Sequence, residues 1–288
     1  MTETPTTPRK PRDDELDVFG LSHVGKVRAE NEDHFLVATI HKRVNVLATN
    51  LDMQQRLPLA DERLSLLAMV ADGVGGGDGG AEASATALEV AMQYVNNSTA
   101  AYYGGAGADA NFIEVLQAAA MRSHEAILAR REAAGTRGTM ATTLTLWMGI
   151  WPDFYLLQVG DSRYYILRDG ALTQVSRDQT VAQDLVDDGV LTRTAASRSQ
   201  FAHLLSSALG ADTAQPVVTR LPSGWHNVGL LCSDGLTRHV SDERIAERLR
   251  TMTSAKQVAE QLLQDALDGG GTDNITIIVG RAVPKDAA

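Results

Sequence analysis

Residues 66–84 read LLAMVADGVGGGDGGAEAS, and the fold turns on how that stretch is parsed. Leu66, Leu67, Ala68, Met69 and Val70 make an apolar run of the length of a buried strand. The run ends in Ala71-Asp72-Gly73, and six glycines fall between Asp72 and Ala81. Asp-Gly after a strand ordinarily marks a hairpin turn, yet no second strand follows. Leu88, Ala91, Met92 and Val95 recur at helical spacing instead and predict a helix over residues 81–95. A carboxylate at a strand's end, next to backbone bare of side chains, can bind a hard cation through Asp72 and the Gly73 carbonyl together.

The same grammar recurs along the chain. The apolar run 228–232 leads into Ser233-Asp234-Gly235, and the strand predicted over 154–159 leads into Gly160-Asp161. Gly271-Thr272-Asp273-Asn274 introduces a last strand over 275–279. Near the start, Arg28, Glu30, Asn31, Glu32 and Asp33 precede the apolar residues 35–38. On local sequence alone that cluster reads as a solvated turn; its functional reading has Asp33 and Arg28 facing one site from adjacent strands. Asp33, Asp72, Asp161, Asp234 and Asp273 taken together are hard to explain as turns, because clustered carboxylates repel unless cations neutralise them. Oxygen ligands with no Cys/His cluster suit Mg²⁺ or Mn²⁺ and not Zn²⁺. Two such ions bridged by a carboxylate would activate a water and clamp a phosphoryl oxygen. Arg28 could grip the other phosphate oxygens bidentately.

Composition narrows the class. With 288 residues the chain can bury a large core. Its net charge of -10 and pI near 5.1 argue against nucleic acid or an anionic membrane as partner. No apolar run approaches the roughly 20 residues of a membrane span, and no signal peptide opens the chain. The single cysteine, Cys232, excludes an internal disulfide and sits in an apolar run as a small core residue. These features predict a cytoplasmic protein, inserted in no membrane.

Residues 1–17 carry Thr, Pro and charge and are expected to be a disordered tail; 284–288 form a short C-terminal tail. Residues 41–63 look like an excursion between strands, and 97–110, rich in Ala, Gly and Tyr, like a loop. A second helix is expected over 112–133 with Gly135 at its C-terminus. Strands follow over 138–148, 154–159, 164–167 and 172–175, the last two joined by a hairpin at Asp169-Gly170. Residues 176–209 are polar and irregular apart from a helix at 181–187, as expected of a lid or recognition segment. Helices at 242–250 and 254–267 come next, the second opened by a capping box of Ser254 and Gln257.

Six blocks then resemble one family, the metal-dependent serine/threonine protein phosphatases of type 2C, or PPM, in their bacterial form. They are VRAENED (27–33), VADGVGG (70–76), GTMATTLT (138–145), VGDSRYY (159–165), LLCSDGLT (230–237) and GTDNITIIV (271–279), in the family's order. The resemblance covers about residues 19–282, and the catalytic domain is placed at 18–283. It implies an α+β fold, a four-layer α-β-β-α sandwich of two antiparallel sheets flanked by helix pairs, with a metal cleft at one edge. It implies that Asp72 bridges two Mn²⁺ or Mg²⁺ ions with the Gly73 carbonyl on one, that Asp234 and Asp273 hold the other, and that Asp33 acts through bound water. Arg28 would receive the substrate phosphate, Asp161 would belong to a third, weaker ion site, and 176–209 would be the flap. Val74 stands where eukaryotic members carry a histidine suggested as general acid, so that role is unassigned. His23, His34 and His41 are read as packed or solvated. The implied activity is hydrolysis of phosphoserine and phosphothreonine on proteins that are targets of Ser/Thr kinases, by a monomer. Two alternatives stand beside it, a phosphatase of the stress-regulator type, which usually lacks the arginine, and a catalytically weak binding or sensor module, which normally has lost metal ligands.

Overall fold

The computed structural model describes residues 9–42, 62–75, 78–102, 108–135 and 140–285. One sheet has the order β1 (Leu16–His23), β12 (Ile275–Ala282), β11 (Val228–Cys232), β8 (Arg163–Arg168) and β9 (Ala171–Gln174). The other runs β10 (Val217–Pro222), β7 (Asp153–Val159), β6 (Leu144–Ile150), β3 (Glu62–Ala71) and β2 (His34–Lys42). Every pairing within them is antiparallel. A two-stranded ladder, β4 (Gly73–Val74) with β5 (Ala141–Thr142), lies beside the second sheet's end.

Three apolar layers show why the chain stacks four deep. Side chains alternate across a strand, and in β3 both faces are apolar. Leu67, Met69 and Ala71 join the cluster under helices α1 (Asp78–Tyr102) and α2 (Ala108–Ala134). Ala68 and Val70 point the other way, into a layer shared with Phe154, Tyr164, Leu231 and Ile278 from both sheets. The third layer joins Leu230, Cys232, Ile277 and Val279 to α6 (Asp242–Arg250) and α7 (Ala255–Asp268). The result is the expected α-β-β-α sandwich. Leu144, Leu146 and Met148 face the helices as the alternation predicts, and Cys232 is fully buried.

Several expectations are corrected. Helix α1 begins at Asp78 and runs to Tyr102, past the predicted end at 95, and α2 starts at Ala108. Much of the predicted 97–110 loop is therefore helix, because the two helices pack along one another and that packing outweighs the weak propensity of Asn, Ser and Thr. Residues 9–17 are not a free tail. Arg9 pairs with buried Glu15 through two bonds of 2.7 and 2.6 Å, Arg63 donates to Asp13 at 2.6 Å, and Asp17 already lies in β1 opposite Arg281. The charges that suggested solvated chain are paired instead. Ser254 caps α7 by accepting from Gln257 N at 3.1 Å, but the Gln257 side chain returns to Thr253 N, not to Ser254. Residues 1–8 and 286–288 of the tails, 43–61 of the excursion and 103–107 of the loop lie outside the described residues. Among the described residues no helix is long and apolar enough to cross a membrane.

Candidate metal and phosphate site

Antiparallel pairing gathers the five aspartates. The start of β2 lies beside the end of β3 (His34 opposite Ala71), and the starts of β8 and β12 lie beside the end of β11 (Arg163 and Ile277 opposite Cys232). Asp33, Asp72, Asp161, Asp234 and Asp273 therefore meet at one edge of the sandwich. A cleft of about 500 Å³ opens there, lined by Asp72, Gly73, Asp161, Asp234, Asp273 and Arg28 among others. Asp33 lies behind it, buried.

The backbone around Asp72 is clamped. Its N–H donates to Thr143 Oγ1 at 3.0 Å, and its carbonyl accepts from Thr143 N and Thr142 Oγ1 at 2.9 Å each. The glycines after Asp72 and Asp234 are required by close approach. A Cβ on Gly73 would lie 2.4 Å from Gly80 O, and one on Gly235 would lie 1.9 Å from Asn274 O. Asp33 Oδ2 accepts from Ser233 Oγ at 2.7 Å and Thr276 Oγ1 at 2.8 Å, while its Oδ1 is buried with no hydrogen-bond partner.

Electrostatics identify what this edge lacks. Burial, opposed by the Ser233 and Thr276 hydroxyls, raises the Asp33 carboxyl to about 7. Burial and then repulsion from Asp33, Asp234 and Asp161 push Asp72 well above the usual carboxylate range. Asp161 rises through burial and the charges of Asp234 and Asp178; Asp234 rises through burial despite Arg238. Glu32, also buried, is raised by the same desolvation, and its Oε1 has no partner. Buried carboxylates with raised pKa values and orphaned oxygens are short of positive charge, and hard oxygen donors fit a divalent cation of the Mg²⁺ or Mn²⁺ kind. Among the described residues, no three acidic, His or Cys side chains converge closely enough to form a coordination shell as they stand.

Arginines occupy part of that space. Arg28 grips Asp273 with Nε at 2.8 Å from Oδ1 and Nη2 at 3.0 Å from Oδ2. Arg28 and Asp33 come from the single connection between β1 and β2, not from adjacent strands, because 24–33 is irregular throughout. Asn274 pins that connection. Its side chain donates to the carbonyls of Val24 and Glu30 at 2.9 Å each and accepts from Glu32 N at 2.8 Å. Sequence reasoning missed Arg238, which bonds Asp234 Oδ2 through Nε at 2.8 Å and Asp273 Oδ2 through Nη1 at 2.8 Å. The only sequence signal was its place four residues after Asp234, one helical turn on. His203 was missed too; its Nδ1 lies 3.9 Å from Asp234 Oδ2 at the cleft's rim. His23, His34 and His41 are engaged locally, with Gly25 N, Ser84 Oγ and Thr39 Oγ1 respectively.

The irregular segment 176–209 walls the cleft and is tied at both ends. Gln179 and Gly160 exchange bonds of 2.7 and 3.0 Å, and Thr142 and Leu209 exchange two of 2.9 Å. Helix α3 (Val181–Asp187) falls where predicted, capped by Thr180, with a further turn, α4, at Arg193–Ala196.

A fold of two sheets between helix pairs, with acidic strand ends at one edge, defines a recognisable class. The family model described as protein phosphatase 2C matches residues 58–269, and the chain belongs to that family. It is 36% identical over 220 residues to the serine/threonine protein phosphatase PstP of Mycobacterium tuberculosis, an alignment covering 76% of this chain and 41% of that protein. The chain thus spans under half the length of that relative. The crystal structure of M. tuberculosis PstP superimposes with a TM-score of 0.75 at 32% identity, covering 93% of this chain and 99% of that one. A PstP catalytic domain in complex with two manganese ions gives 0.70 at 31% identity, covering 93% and 99%.

Proposed function

We propose that this chain is a metal-dependent phosphatase that hydrolyses phosphoserine and phosphothreonine on proteins. The observation that carries the reading is the charge imbalance of the cleft. Five aspartates face two arginines there, and burial holds four of the five carboxyls above their ordinary pKa. The manganese complex of a related catalytic domain supports two divalent ions as the missing charge.

In this reading Asp72, the Gly73 carbonyl, Asp234 and Asp273 would hold two ions between them, with Asp72 shared, and Asp33 would orient water from behind. Asp161 would help hold a third, weaker ion. The ions, Mn²⁺ or Mg²⁺, would supply an activated water and neutralise charge developing on the phosphoryl oxygens. The chain's own residues do the remaining work. Thr142 and Thr143 fix the backbone of Asp72 so that its carboxylate cannot recoil from its neighbours. Arg28, half exposed at the cleft, orients the phosphate by a bidentate grip. Segment 176–209 presents the phosphoprotein. Val74, exposed beside Gly73, offers no proton to the leaving oxygen. The proposed setting is a cytoplasmic monomer acting on targets of Ser/Thr kinases.

The test is hydrolysis of a phosphothreonine peptide and of a simple aryl phosphate with Mn²⁺, with Mg²⁺ and with excess chelator. Turnover that appears only with a divalent ion is the expected result. Full activity in chelator defeats the two-metal reading, and no turnover under any condition favours the binding-module alternative.

A further inference from the structure

Resting on the phosphatase reading, we propose that Arg238 is a second phosphate-binding residue, held on the ion's own carboxylates until the ion arrives. Its guanidinium is committed to Asp234 Oδ2 through Nε and Nη2 and to Asp273 Oδ2 through Nη1. Those are the two carboxylates assigned together to one ion. Burial works against the arginine's charge, yet Asp234 and Asp273 outweigh it and hold its pKa up. Arg28 completes the arrangement by gripping the same Asp273 from the other side, so one carboxylate is shared by two guanidinium groups.

A carboxylate oxygen that ligates a divalent ion cannot keep its full set of bonds to an arginine fork. Arg238 holds Asp234 through Oδ2 alone, but both oxygens of Asp273 carry arginine N–H groups, so ion uptake at Asp273 has to loosen Arg238 there, and the arginine has to cost the ion affinity. The loosened group does not leave the site, since Arg238 and Arg28 line the same cleft. Two forks freed from Asp273 then face the place where a phosphate dianion binds, and each can offer two parallel N–H donors to its oxygens. Ion binding and phosphate binding become mutually reinforcing, because each draws on the state in which Asp273 has given up its arginines.

The experiment titrates Mn²⁺ calorimetrically into substrate-free wild type, Arg238→Gln and Arg238→Lys, with thermal melting to establish that each is folded. Removing the charge in Arg238→Gln should tighten Mn²⁺ binding by roughly tenfold, the lower end of the scale of one charge-assisted contact no longer competing, with Arg238→Lys between the two. A purely structural role would leave the affinity unchanged or weaken it, and either result in a folded variant overturns the proposal. At saturating Mn²⁺, the KM of Arg238→Gln for a phosphothreonine peptide should rise by roughly fivefold or more, beyond any fall in kcat; an unchanged KM overturns the phosphate-binding role. The calorimetry needs no turnover. Tighter Mn²⁺ in Arg238→Gln from a protein that hydrolyses no phosphoester would therefore defeat the phosphatase reading and leave the competition for Asp234 and Asp273 standing.

Discussion

Two turns of this molecule share a sequence and differ in how they bear charge. Asp72-Gly73 and Asp234-Gly235 both end buried strands, and in both the glycine is forced by backbone packed where a Cβ would sit. At Asp72 three bonds hold the main chain, and among the described residues no cationic side chain pairs with the carboxylate. At Asp234 the turn opens the short helix α5 (Asp234–Thr237), and Arg238 just beyond it neutralises the carboxylate. One turn holds its charge by rigidity, the other by a counter-ion of its own. In the proposed metal-bound state the first would be the more dependent on a metal.

The largest effect should come from breaking the rigid turn. Asp72→Asn is expected to abolish turnover, by about 10³-fold or more, since it removes charge from both proposed ions. In metal-free protein the same change should raise Tm, because it deletes a half-buried charge repelled by Asp33, Asp234 and Asp161. Asp234→Asn should also cost activity but should not raise the metal-free Tm, since it strips Arg238 of a partner. Equal shifts in the two melting curves would erase the distinction between the turns.

Arg28→Ala comes next. Loss of its charge-assisted grip should raise KM for phosphopeptides by roughly 1.5–3 kcal/mol in binding and, because Arg28 also holds Asp273, should tighten Mn²⁺ binding. Collapse of metal binding with an unchanged KM would make Arg28 a structural partner of Asp273 alone. For Asp161→Asn, kcat at saturating Mn²⁺ should drop by about one to two orders of magnitude while calorimetry still counts two tight ions. Wild-type kcat in that variant would remove a third ion from the mechanism.

The smallest effect is a pH dependence confined to the metal-free state. Burial raises the folded Asp33 carboxyl to about 7, above its unfolded value near 4. The folded chain therefore binds more protons than the unfolded chain between those values, and stability falls as pH rises through that window. Melting curves in chelator should move down between about pH 5 and pH 7.5, and saturating Mn²⁺ should flatten or reverse the trend. A metal-free Tm that climbs over that range would show that the buried carboxylates are already compensated.

Much of this was legible because strand-end aspartates are local signals. An apolar run followed by Asp-Gly stays visible whatever the chain does elsewhere, whereas the α-β-β-α layers were an expectation of the family resemblance, which strand β3, apolar on both faces, explains physically. The role of Arg238 was not legible, because an arginine one turn after an aspartate on a short helix looks like an ordinary surface pair. The Glu15 cluster was hidden for the opposite reason. Charge-rich sequence reads as solvated chain, and nothing local says that Arg9 and Arg12 converge on one carboxylate. Residues 97–102 read as loop because their helicity comes from packing along α2, a partner that propensity cannot see.

Asn274 sets a timetable as well as a geometry. Its side chain ties down the connection that carries Arg28, Glu32 and Asp33, more than 240 residues earlier, and β12 immediately after it lies between β1 and β11. A chain emerging from the ribosome thus carries its first site residues from the outset but cannot fix them until its last strand is made. Unfinished copies have the acids without the architecture that orders them.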